Sequence, residues 1–176
     1  LGVGGSTLYL TLVHHCGRAS SHAHCCPGLA GARIRFCHNP LAEEWCRLLC
    51  HAGRVVQLEQ RDPTMGPHAR LDIVEYASAE GAPAAYDVSV VTALRASREF
   101  VLQCARTPGH ASEVRHRDKL RYQCGGRLPN ARLVPLVVEV GGRWHHSVRE
   151  VTHTLARAYV RRSGALPNDA LGQVVS

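Results

Sequence analysis

The sequence predicts an α/β protein, a mixed sheet flanked by helices. Three observations support this. Short apolar runs such as "RVVQLEQ" and "ARLVPLVVEV" alternate with stretches whose apolar residues recur at helical spacing. The 176 residues suffice for a core that needs no disulfides. A hydrophobic fraction of 45% separates the chain from disordered ones.

Residues 1–37 mix Gly, Ser, His and Cys without periodicity and read as a loop-rich, zinc-knuckle-like segment. "NPLAEEWCRLLCHAG" then reads as a helix, with Asn39 as cap, Pro40 at the first turn, acids in that turn and Gly53 at the end. Leu41, Trp45, Leu48 and Leu49 share a face. Residues 54–60 form a strand, and strands over 70–76 and 84–91 are joined by "SAEGAP". A helix over 94–105 is broken at "TPGH", and a second helical piece runs to Tyr122. The strand over 131–140 is apolar on both faces, which predicts a central position. "SVREVTHTLARAYVRR" is an amphipathic helix capped by Ser147, with Val148, Val151, Leu155 and Tyr159 inward. The tail over 163–176 reads as flexible. The order is helix, three strands, helix, strand, helix.

No apolar run is long enough to span a membrane. Leu8–Val13 is too short and lacks a basic segment before it, so no signal peptide is read. The chain begins at Leu1 and its sole methionine is Met65, so it is read as part of a longer protein. Net charge is +7, carried by twenty arginines and the single Lys119. GC-rich coding accounts for such a bias, but arginine also binds phosphate oxygens in pairs. Of the eight cysteines, six fall between Cys16 and Cys50 among histidines. That distribution favours metal ligation over a disulfide framework. Cys37, Cys46 and Cys50 read as core thiols, and His145 and His146 as turn residues.

The chemistry centres on Asp72 and Asp87, with fourteen residues between them, on neighbouring strands. Antiparallel pairing brings such carboxylates together, and two close carboxylates repel unless a cation lies between them. Mg²⁺ prefers oxygen ligands and needs few carboxylates. The alternative is that these aspartates cap turns or pair with arginines. Glu43 or Glu44 offers a third carboxylate. Lys119, in "RHRDKLRY", is placed to position water or steady phosphate charge. Arg70, Arg115 and Arg117 are candidate phosphate contacts.

"RLD", the gap, "YDVSVVT" and a lysine followed by Tyr122 together resemble the restriction-endonuclease-like domain of site-specific non-LTR retrotransposons, of the PD-(D/E)XK nuclease group. The resemblance spans about residues 14–162. It implies an αβββαβ nuclease core with a C-terminal helix over 38–162, after a zinc-binding segment. The implied activity is DNA nicking by metal-dependent phosphodiester hydrolysis that primes reverse transcription. Asp72 and Asp87 match the acids that hold Mg²⁺ or Mn²⁺, Arg70 the leading basic residue, and Lys119 and Tyr122 the lysine-tyrosine element. Glu43 or Glu44 matches the helix acid of some members. "HHCGRASSHAHCCP" resembles the zinc motif, with His14, Cys16, His22 and Cys26 as Zn²⁺ ligands and His24 and Cys25 as competitors. "RFCHNPLAEEW" resembles the helix start that follows it, and "LVPLVVEVGGRWH" the last core strand and turn. Leu71 departs from the family's proline. Ser89 stands where many nucleases of the wider group carry lysine, so Lys119 would serve from the helix. The implied partners are target DNA and the element's RNA, and the implied location is nuclear. A non-catalytic nucleic-acid-binding module and a decayed retroelement fragment are the alternative readings.

Overall fold

The computed structural model describes residues 31, 34–61, 70–77, 83–94, 97–123 and 132–164. Helix α1 spans Asn39–His51, strands β1, β2 and β3 span Val55–Arg61, Arg70–Ala77 and Ala84–Val91, and helices α2 and α3 span Arg98–Arg106 and His110–Gln123. Strand β4 spans Arg132–Glu139 and helix α4 His146–Ser163. The four described strands form one mixed sheet in the order β1-β2-β3-β4, antiparallel except for the parallel β3–β4 pair. The α2–α3 crossover between β3 and β4 is what makes that pair parallel.

Strand alternation sorts the core into two layers. Ile73, Tyr86, Val88, Val134 and Leu136 pack against Trp45 and Leu49 of α1 and Val148 and Leu155 of α4. On the opposite face Val91 and Val137 meet Ala111 of α3, with Phe100 and Cys104 of α2 against them. Trp45 also meets Trp144 edge-on at 5.7 Å, fastening α1 to the turn before α4. No helix among the described residues is long and apolar enough to cross a membrane.

Several expectations need correction. Among the described strands β4 lies at an edge of the sheet, not centrally. Its residues 133–138 are buried because helices cover both faces, and an edge strand tolerates Pro135. The chain turns back at Gly142, whose φ of 83° favours glycine, and Trp144 forms a short antiparallel bridge to Val138. Asn39 does not cap α1. A π-helical turn over Ile34–His38 runs straight into it, His38 is itself helical and no side chain caps the end. Glu43 and Glu44 consequently lie past the first turn. His145, not Ser147, caps α4, its side chain accepting from the Ser147 N–H. The helix expected from 94 starts at Arg98, capped by Ser97. Cys50 is exposed rather than a core thiol.

Candidate functional site

Asp72 lies on β2 and Asp87 on β3. Their neighbours Ile73, Tyr86 and Val88 fill the α1–α4 core, so alternation turns both aspartates toward the face that carries α3. The β2–β3 ladder includes Ile73↔Tyr86, and one more step of that register sets Asp72 level with Asp87. There the Val88 N–H donates to Asp72 Oδ2 at 2.7 Å, so the side chain itself ties the strands together.

Two basic side chains flank the pair. Lys119, on the third turn of α3, places Nζ 2.5 Å from Asp87 Oδ2. His38, just before α1, places Nε2 3.2 Å from Asp72 Oδ2, and its Nδ1 lies 3.2 Å from Asn39 Oδ1. Burial pushes the Asp87 carboxyl above its ordinary range; the Asp72 charge adds to this, and Lys119 and Arg115 oppose it. The hydrogen bond with Asp72 raises His38 against the opposing effect of burial, and the Asp87 charge also raises it. The two carboxylates therefore share one electrostatic site that favours a cation.

The structure brings Asp72, Asp87 and Lys119 together, with Arg115 close enough for its charge to reach Asp87. Glu44 is engaged elsewhere: both its oxygens hold Arg47, at 2.6 and 2.7 Å. Glu43 is exposed on the same helix. Arg117 is exposed and pairs with Glu113 at 3.4 Å. Arg70 lies on β2 and Tyr122 on α3. His14, Cys16, His22 and Cys26 lie outside the described residues, as do the competing His24 and Cys25.

Sequence reasoning missed three features. His38 stood in plain view in "RFCHNP", but only the tertiary fold carries it across to Asp72. Glu75, 3% exposed, accepts from Tyr86 Oη at 2.7 Å and from Arg54 at 3.3 Å. Its position two residues after Ile73 was the available signal for burial. This network lines a cavity of about 610 Å³ on the α4 side, together with Arg132 and His116. His145, expected in a turn, is 3% exposed and bonds Glu113 at 2.9 Å.

No known protein-family model matches the chain, and no curated protein is found as a relative.

Donor chemistry fits a hard divalent cation. The two carboxylates lie on neighbouring strands, each about one-fifth exposed and so within reach of solvent. His38 and the Val88 N–H both address Oδ2 of Asp72. Carboxylate oxygens that keep part of their hydration suit Mg²⁺ or Mn²⁺.

Proposed function

We propose that residues 38–162 form a PD-(D/E)XK-like domain that nicks DNA by Mg²⁺-dependent phosphodiester hydrolysis. The observation that carries this reading is the meeting of Asp72, Asp87 and Lys119 from β2, β3 and α3. The element order, one helix, three strands, a helical crossover, a fourth strand and a final helix, is also the order that the sequence resemblance implies.

Asp72 and Asp87 would hold the cation, which when bound supplies water activation and charge stabilisation at phosphorus. Lys119 keeps its ammonium beside Asp87 and can donate to a phosphate oxygen at the same place. Arg115 lies one helical turn earlier, so α3 presents two cations to an incoming phosphate. His38 donates Nε2–H to Asp72 and fixes the direction of that carboxylate. The side-chain tie from Asp72 to β3 holds the two acids at a constant separation, a preorganisation that the chemistry needs. The N-terminal segment is proposed as a Zn²⁺-binding DNA contact, and nuclear action follows from the same resemblance.

Mn²⁺ titration followed by electron paramagnetic resonance tests the metal-holding step. Wild type should bind Mn²⁺, with affinity falling at least ~10-fold in Asp72→Asn and in Asp87→Asn. Equal affinity in all three proteins would remove the metal role.

A specific feature also favours a DNA-binding module without cleavage: His38 and Lys119 already occupy one oxygen of each acid. Such a module binds DNA equally well in chelator and leaves it intact when Mg²⁺ or Mn²⁺ is added. A decayed fragment would lack cooperative unfolding.

A further inference from the structure

A second constellation, sharing no residue with the aspartate pair, lies where α3 passes the start of α4. The geometry points to a divalent transition-metal site held by Glu113, His145 and His146, with Zn²⁺ the best-fitting occupant. One ligand atom from each of these residues lies within 4.8 Å of the other two. They come from α3 and from the cap and first residue of α4, with His145 32 positions after Glu113, so the grouping is a product of tertiary packing.

The orientation of His145 is the strongest argument. Its ring is buried, with Nδ1 2.7 Å from Ser147 Oγ and Nε2 aimed at Glu113 Oε2 at 2.9 Å. Metal-binding histidines commonly donate from their second nitrogen to a neighbour, a role open to Nδ1 here through Ser147 Oγ once Nε2 gives up its proton. His116 stacks on the same ring, with centroids 4.0 Å apart and planes at 16°, and His146 lies against it at 4.1 Å. Glu113 and His116 share one helical face at i,i+3, a spacing by which helices present ligands together. In a tetrahedral site with ligands at ~2.0–2.1 Å, neighbouring ligand atoms stand about 3.3 Å apart. The Nε2–Oε2 gap therefore needs to open by only a few tenths of an ångström.

Proton bookkeeping is simple. Without metal, Nδ1 accepts from the Ser147 N–H, so Nε2–H donates to Glu113. With metal, Nε2 gives its lone pair, the proton resides on Nδ1, and Nδ1–H donates to Ser147 Oγ in place of the cap bond from the Ser147 N–H. No proton leaves the ring. Two imidazoles and a carboxylate leave a fourth position for water, on the side where His146 is exposed.

The test is a Co²⁺ titration of the full chain, read by visible absorption and competed with Zn²⁺. Wild type should develop ligand-field bands that Zn²⁺ erases. His146→Asn and Glu113→Gln should each weaken the affinity behind those bands at least ~10-fold, since losing even an outer-shell partner costs that much. The bands should persist in Asp87→Asn, and in Cys16→Ser/Cys26→Ser, which removes the proposed N-terminal thiolate ligands, they should persist without thiolate-to-cobalt charge transfer. Both weakening variants alter partly or fully exposed side chains, and circular dichroism checks that they remain folded. Zn²⁺ should also raise the unfolding midpoint of wild type more than that of His146→Asn. Unchanged affinity in both variants, bands lost only with the aspartate or cysteine changes, or no bands in wild type would overturn the proposal. None of these readouts is nicking, so this site and the nuclease reading fail independently.

Discussion

Asp87 carries a burial cost. Its carboxyl is raised mainly by burial, and Lys119 recovers part of that. A folded-state pKa above the unfolded one favours folding most below the ordinary value of 3.8. That advantage is lost as pH rises through the folded value. At neutral pH the full burial cost stands. Asp87→Asn should therefore leave the unfolding midpoint unchanged or higher at pH 7 while eliminating nicking. A large loss of stability in a urea melt would instead make Asp87 a structural ion-pair partner. His38 follows a related rule with a stabilising cause. Its pKa is raised by Asp72, so the pair's contribution is complete below the ordinary 6.5 and fades as pH rises through the folded value. The stability difference between wild type and His38→Gln should shrink across that window. Urea unfolding at successive pH values measures it, and a difference that grows with pH contradicts the assignment.

At the scale of elements, α1 is fastened chiefly by Trp45, buried beneath α4 and set edge-on to Trp144. Trp45→Ala should cost about 3–5 kcal/mol in urea unfolding. A cost below about 1 kcal/mol would mean that the helix is held by other contacts. Because α1 follows His38 directly, that variant should also weaken Mn²⁺ binding. Most elements were legible because their periods are local. "RLDIVEY" and "AAYDVSVV" alternate, and the Gly142 turn carries recognisable punctuation. What local pattern does not encode was misjudged. The apolar faces of β4 report coverage by helices, not a place in the sheet, so its edge position was invisible. The continuous helical path through His38 overrode Asn39 as a cap. The aspartate pair was legible because hairpin-like spacing implies registry. The His38–Asp72 and Glu113–His145 contacts bridge 34 and 32 residues and depend on how the helices pack, which spacing does not reveal.

Across the whole molecule, a net charge of +7 permits a polyanionic partner. Lys119 and Arg115 place part of that charge beside the acids, where binding and chemistry would coincide. DNA affinity should fall with salt, and Arg115→Ala should flatten the log–log salt slope by ~1 if that side chain meets one phosphate. Fluorescence anisotropy over a salt series checks this, and an unchanged slope would remove Arg115 from the interface. The most direct measurement is supercoiled-plasmid nicking with Mg²⁺ or Mn²⁺, comparing wild type with Asp87→Asn. The proposed function predicts metal-dependent nicking by wild type and none by the variant, with both proteins folded. Equal nicking by both, or none by soluble folded wild type on several DNA substrates, would contradict it.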